Sequence, residues 1–183
     1  MMLSSNPVDF IKMPPASKPR QRRLNKGEYE RLEQASHLTL NPHIWPFIVF
    51  AIETGMRRGE ILGLTWDNIS LERQLAYLPF TKNGSSREVP LSKKAVQVLS
   101  NQRSRQDTPT PFPVNTNAFR LAWERLRKRA DLRFHDLRHE AISRFFEMGL
   151  SIPEVALISG HKDAKMLFRY THLRAGNIIA KLG

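Results

Sequence analysis

One change of hydrophobic period near the middle of the chain constrains the fold more than any other feature. Up to Leu64, and again from Lys93 onward, apolar residues recur at helical spacing. Between these stretches, residues 74–79 and 87–91 are short runs, partly β-branched or aromatic, that read as strands. Asn83-Gly84 lies between the two runs, and both residues tolerate positive φ, so the pair predicts a tight hairpin turn. The sheet should have two or three strands, with Ile69 and its neighbours as the third. One small antiparallel sheet within an otherwise helical chain of 183 residues predicts an α+β, mainly α architecture around one sizeable core.

The helical segments carry their own start and stop signals. Asn25-Lys26-Gly27-Glu28 has the spacing of a capping box, so a helix should run to about Ser36 and bury Tyr29, Leu32 and Ala35. Asn41-Pro42 opens the next helix, in which Ile44, Phe47, Ile48, Ala51 and Ile52 form a buried stripe. Thr54-Gly55 breaks it, and a new helix is expected from Met56 to about Leu64. Helix returns over 93–102, and a polar, proline-rich loop follows over 107–113. A helix over 117–130 sets Phe119, Trp123, Leu126 and Ala130 on one side. Arg120, Arg125, Arg127, Lys128 and Arg129 cover much of the rest.

Leu137, Ala141 and Phe145 then mark a core stripe. At about 100° per residue Arg138 falls beside that stripe and His135 further round, both half dry at the lip of the core. Gly149 ends the helix. Ser151-Ile152-Pro153-Glu154 is a capping box whose helix Gly160 closes. A short helical turn from Asp163 carries Tyr170, and 174–182 reads as an amphipathic tail. Residues 1–23, with Pro14, Pro15 and Pro19, read as a basic tether, which leaves 24–183 as the folded domain.

Lys and Arg number 29 against 17 Asp and Glu, and the net charge of +12 favours a polyanionic partner, nucleic acid ahead of an anionic membrane. Arg20, Arg22 and Arg23 in the tether, with Arg120, Arg125, Arg127 and Lys128 on the helix, are the candidate DNA contacts. A solvated basic surface is the competing reading for both groups. The absence of cysteine excludes disulfides and thiolate metal sites and fits a reducing compartment. Residues 1–10 lack the apolar core of a secretory signal, and the longest apolar run, 47–52, is far too short to span a bilayer. A soluble, cytoplasmic protein is expected.

The chemistry concentrates in 134–172. His135-Asp136-Leu137-Arg138-His139 and Gly160-His161 precede Tyr170, which lies nine positions after His161. Upstream stand Arg57, in Thr54-Gly55-Met56-Arg57-Arg58-Gly59-Glu60, and Lys82, in Thr81-Lys82-Asn83-Gly84. These residue types suit cleavage of a phosphodiester without a metal. A phenol, with its ordinary pKa of about 10, needs nearby positive charge to attack as phenolate. Forked guanidinium groups match the nonbridging oxygens on which charge gathers, and the departing 5′ oxygen needs a proton donor.

In this order and spacing the residues resemble those of tyrosine recombinases of the phage-integrase type, over roughly 24–182. The resemblance implies a helical catalytic domain with a small β-sheet, acting as a site-specific DNA recombinase through a covalent 3′-phosphotyrosine, with no metal, cofactor or ATP. It maps Arg57 and Arg138 to the arginines that grip the phosphate and Lys82 to the acid for the 5′ hydroxyl. His135 becomes the base or a hydrogen-bond partner of the phosphate, His161 the donor to a nonbridging oxygen, and Tyr170 the nucleophile. Glu60, one helical turn after Arg57, would orient that arginine or buttress the fold. Met166 and the bulky Arg58 depart from the family's pattern without touching a catalytic role.

The resemblance also implies double-stranded recombination sites as partners, tetramers on paired sites, and exchange of the C-terminal tail between subunits. Asn177, Ile178, Ile179 and Leu182 are candidates for that docking, alongside packing on their own domain. A bacterial or phage-encoded protein acting on the host chromosome is implied. The family places a helical core-binding domain ahead of residue 24, and none precedes it here, so the chain is expected to be a fragment or an unusually short member.

Three rivals remain. His135 and His139 share the i, i+4 spacing of the zincin motif H-E-x-x-H, although Asp136 is a methylene short of the needed glutamate and Arg138 would repel a metal. A DNA-binding module of the same fold with little activity of its own is the second. A type IB topoisomerase-like strand-relaxing enzyme is the third.

Overall fold

The structure is a computed structural model, and it describes residues 20, 22–79, 86–104, 107–127 and 131–171. The elements in chain order are α1 (Glu28–Ser36), α2 (Ile44–Thr54), α3 (Arg58–Leu62), β1 (Ile69–Ser70), β2 (Leu75–Leu78), β3 (Arg87–Pro90), α4 (Lys93–Arg103), α5 (Thr116–Leu126), α6 (Phe134–Glu147) and α7 (Ile152–Ser159). The mainly helical α+β class and the three-stranded sheet both stand as the change of period implies. The sheet is antiparallel in the order β1-β2-β3, with Ile69 opposite Ala76 and Leu78 opposite Arg87. Ala76, Leu78 and Val89 face the core while Tyr77 and Glu88 face out, the alternation of a sheet covered on one side. The Asn83-Gly84 turn and Lys82 lie outside the described residues.

The core is built around α2. Sequence periodicity predicts a stripe there, but Phe47 to Ile52 are all buried, because α2 packs on α1, α3, α4 and α6 together. A helix apolar all round belongs in the interior. It starts at Ile44 rather than at Asn41, whose side-chain oxygen instead accepts the His43 N–H at 2.9 Å. Phe47 is the hub, its ring 5.3 Å from that of Phe112, 4.3 Å from Phe119 and 5.7 Å from Phe134. Phe134 also meets Trp123 edge-on at 5.3 Å. This aromatic cluster pins the first residue of α6 and so fixes where His135 and Arg138 emerge.

Capping follows the sequence signals with shifts of a residue or two. Glu28 accepts the Asn25 N–H at 2.8 Å, yet Gly27, at φ 78°, is the residue that leads into α1. In α1 Leu32 is buried, and Tyr29 and Ala35 are only partly covered. Asn115 caps α5 through the Ala118 N–H at 2.8 Å, and Lys128, Arg129 and Ala130 lie outside the described residues. Ser151 donates its N–H to Glu154 at 2.6 Å, closing the capping box of α7. Among the described residues no helix is long and apolar enough to cross a membrane.

The described part of the basic arm differs from a free tether. Arg20 forks onto Asp136 at 2.9 and 3.0 Å, Arg22 pairs with Glu28 at 3.0 Å, and Arg23 reaches Glu140 at 3.0 Å and also Glu147. At about 100° per residue Asp136, Glu140 and Glu147 share one side of α6. That acidic side draws the arginines down onto the domain.

Candidate active site

Two helix ends and the start of a third meet beside α6. The last turn of α2 closes on Gly55 at φ 61°, where a Cβ would come 3.2 Å from the Phe145 ring. The last turn of α7 closes in the same way on Gly160 at φ 70°. Carbonyls at helix C-termini lack intrahelical donors and carry the negative end of the dipole. Arg138 exploits both ends: one terminal nitrogen donates to the Gly55 carbonyl and the other to the Ser159 carbonyl at 2.5 Å. These acceptors draw Arg138 inward to 4% exposure, deeper than the half-dry position expected, while His135 remains exposed. Burial, with Arg57 and Arg87 nearby, pushes the Arg138 pKa down to about 9, so the group is still a cation at neutral pH.

Arg57 leads into α3 and is held by the residue one turn on. Its N–H and one terminal nitrogen donate to the Glu60 carboxylate at 2.8 and 2.9 Å. Arg87 on β3 takes the same carboxylate with both terminal nitrogens, at 3.0 and 2.8 Å. Burial alone would raise the Glu60 pKa, but the hydrogen bonds from Arg87 and Arg57 outweigh it and hold the group below the usual carboxylate range. Glu60 therefore stays ionised between two arginines.

His161 follows Gly160, and its Nδ1 lies 2.7 Å from the Ser159 hydroxyl oxygen. That hydroxyl spends its only proton on the Val155 carbonyl at 2.6 Å, so Nδ1–H is the donor to it and Nε2 of the neutral ring carries a lone pair. Burial, with Arg138 and Arg57 adding, depresses the His161 pKa to about 4. A phosphate arriving beside it would reverse that balance and draw a second proton onto Nε2. Tyr170, on a short 3-10 turn (Phe168–Tyr170), is 6% exposed and hydrogen-bonds through its hydroxyl to Nδ1 of His139. Burial raises the phenol above its ordinary pKa, against the pull of Arg169 and Arg138. Burial, followed by His135, lowers His139 to about 4, so its ring is neutral and accepts the phenolic proton. His135 stands edge-on to His139, ring centres 5.0 Å apart, and its pKa is lowered by partial desolvation of the ring against the domain and then by Arg138.

Arg57, His135 and Arg138 line one cleft of about 600 Å³, and Arg58, Arg120, Arg127 and Arg133 extend its basic wall. Arg127 is paired there with Glu124 at 2.6 Å. Arg125 lines a different hollow, with Leu32 and Leu126, so the basic helix face predicted from the sequence is divided between two surfaces. Of the residues singled out by sequence, Arg57, Glu60, His135, Arg138, His161 and Tyr170 thus meet around α6, and Lys82 and Lys128 lie outside the described residues. Asp136 turns away from the two histidines toward Arg20 and the Arg133 N–H, which dismantles the zincin-like pattern. Among the described residues no cluster of three His, Cys, Asp or Glu is placed to hold a metal.

Sequence reasoning missed two members. Arg87 carries no motif, and a lone arginine at the start of a strand reads as exposed by default. His139 stands four residues after His135, and that spacing alone was a signal that the two rings share a side of α6.

Similarity to known proteins points to one family. The Phage integrase family model matches residues 22–176. A shufflon-specific DNA recombinase of Escherichia coli is 46% identical over 190 residues, covering 97% of this chain and 47% of that protein. A putative integrase/recombinase of Haemophilus influenzae is 37% identical over 182 residues, 90% of this chain and 48% of the relative. The chain thus spans about half the length of these curated relatives. Among solved structures, the catalytic domain of bacteriophage HP1 integrase superposes with a TM-score of 0.69 at 23% identity, covering 87% of this chain and 92% of that one. A lambda integrase dimer bound to a core site superposes at 0.70, with 23% identity, over 87% of this chain and 62% of that one. With the family model covering most of its length and a relative 46% identical over 97% of it, the chain has the fold of the HP1 integrase catalytic domain and belongs to the phage integrase family, the tyrosine recombinases.

Proposed function

We propose that this domain is the catalytic part of a site-specific DNA recombinase that cleaves and rejoins double-stranded DNA through a 3′-phosphotyrosine at Tyr170. The observation that carries the reading is the meeting of Arg57, Arg138, His161 and Tyr170, from four separate stretches of chain, beside one basic cleft. A scissile phosphate seated there meets Arg57 and Arg138 on its nonbridging oxygens, with His161 as a further donor once protonated. The phenol gives its proton to the neutral His139 ring, with His135 alongside, as its oxygen bonds to phosphorus. The bond to the 5′ oxygen then breaks, and that oxygen takes a proton, the role the family resemblance gives to Lys82. Because the phosphotyrosine keeps one ester bond for another, the reverse attack by a 5′ hydroxyl reseals the strand without ATP or metal.

The 46% identity to a shufflon-specific DNA recombinase supports site-specific recombination as the cellular outcome, and the lambda integrase dimer bound to a core site supports DNA sites as the partner. Action in the bacterial cytoplasm, as tetramers that exchange their C-terminal tails, belongs to the same reading. Among the candidate DNA contacts, Arg120 and Arg127 are favoured by their place on the cleft, although Arg127, like Arg20, Arg22 and Arg23, is paired with a carboxylate.

The test is covalent capture on a pool of nicked duplexes with randomised sequence, in which cleavage releases a short strand and traps the adduct. Wild-type protein should form an SDS-resistant protein–DNA complex. Tyr170→Phe should bind the same duplexes and form none. An adduct that survives this substitution would remove Tyr170 as nucleophile, and a wild-type chain that captures no duplex would contradict the catalytic reading of this domain.

A further inference from the structure

Glu60 presents an electrostatic problem to its neighbour. Its side chain is 6% exposed and bonded to Arg57 through two donors, and one carboxylate alone would cancel the charge of that guanidinium. Arg87, 10% exposed, takes up both Glu60 oxygens, so the three groups together keep a single positive charge. The remaining donor of the fork, Nε, reaches the Ile158 carbonyl at 3.2 Å in the last turn of α7. The flat guanidinium also lies against Gly160, where a Cβ would stand 2.8 Å from Nη1 and 2.9 Å from Cζ. Gly160 is the residue before His161. One side chain on β3 therefore ties the first turn of α3 to the end of α7.

We propose that Arg87 is a positioning residue for phosphate binding: by sharing the Glu60 carboxylate it leaves the charge of Arg57 uncancelled for a nonbridging oxygen, and by packing against Gly160 it seats His161 over the same phosphate. The inference rests on the reading of Arg57 as a phosphate ligand. Arg87 acts through Glu60 and Gly160 and needs no contact with DNA. A lysine restores the charge but not the fork, since a single ammonium cannot bond both Glu60 oxygens and the Ile158 carbonyl in one plane.

The experiment is a double-substitution cycle on the full 183-residue chain, with a nicked duplex selected from the randomised pool by adduct formation. Single-turnover adduct rates are compared for wild type, Arg57→Ala, Arg87→Gln and the double variant, with thermal unfolding measured on the same samples. Arg87→Gln should slow adduct formation by about tenfold to a hundredfold, the range for partners that orient a functional ligand. In the Arg57→Ala background the same change should cost clearly less, because one of the two groups that Arg87 positions is gone. Arg87→Lys should recover part of the loss, and it carries the same cycle should Arg87→Gln fail to fold. Equal penalties in both backgrounds would mark Arg87 as a general structural residue and overturn the proposal, as would a wild-type rate for Arg87→Gln. Should Arg57→Ala itself cleave at the wild-type rate, the reading of Arg57 falls first. A slow Arg57→Ala beside a neutral Arg87→Gln removes Arg87 alone.

Discussion

Helix α6 separates two arginine clusters that differ in one respect. On its acidic side, Arg20, Arg22 and Arg23 each have a carboxylate, from Asp136, Glu28 and Glu140. On its other side, among the described residues, Arg57 and Arg87 share one carboxylate, Glu60, and Arg138 bonds to backbone carbonyls. The first cluster is balanced and holds the arm to the domain. The second carries surplus positive charge in a partly dry place, where charge is worth more than in water. A net charge of +12 thus says little by itself; what matters is where arginines outnumber carboxylates. That excess sits at the cleft shared by His135 and, through Ser159, at His161.

The contrast can be broken from either side. Arg138→Ala should have the largest effect, cutting adduct formation by about 10²–10³, as for loss of one preorganised donor to a developing oxyanion. It should also lower stability by about 1–3 kcal/mol, because two buried carbonyls lose their donor. Single-turnover kinetics and urea unfolding read the two losses separately, and a loss of stability with unchanged cleavage would make Arg138 merely structural. Glu140→Gln should do the opposite. It removes the partner of Arg23, Arg144 and the Leu24 N–H, costing about 1–2 kcal/mol because both arginines are partly exposed, with the adduct rate near wild type. A large fall in cleavage would show that the two sides of α6 are not independent.

Acid sharpens the same division by a smaller margin. His139 and His161 have pKa values depressed from 6.5 to about 4, so the unfolded chain binds protons that the folded one refuses. Their contribution is present above pH 6.5 and is lost as pH falls toward 4. Glu140 and Glu60 are held below 4.5, so their contribution is lost only at lower pH. Urea midpoints should decline from pH 7 to 5, and His161→Gln should flatten that decline. An unchanged slope in the variant would place His161 in water rather than against Arg138 and Arg57.

Much of this was legible in the sequence, for identifiable reasons. The sheet announced itself by a change of period, and α7 by the Ser151–Glu154 spacing and Gly160. The order of Arg57, His135, Arg138, His161 and Tyr170 was visible because each stands in a short motif at a helix end. Periodicity set Arg138 at the edge of the core, since it counts side chains and not carbonyls; the open C-termini of α2 and α7 drew it inside. The arm read as a tether because its carboxylate partners lie more than a hundred residues away, and pairing over such a distance leaves no local pattern. Arg87 was hidden in the same way, since its partner Glu60 sits across the sheet connection.

The most direct test of the central claim, that the surplus charge beside α6 marks the seat of a scissile phosphate, is mass spectrometry of the trapped adduct after protease and nuclease digestion. The account predicts a 3′-linked nucleotide on the peptide that carries Tyr170 and on no other. A nucleotide on Tyr29, on Tyr77 or on a histidine would contradict it.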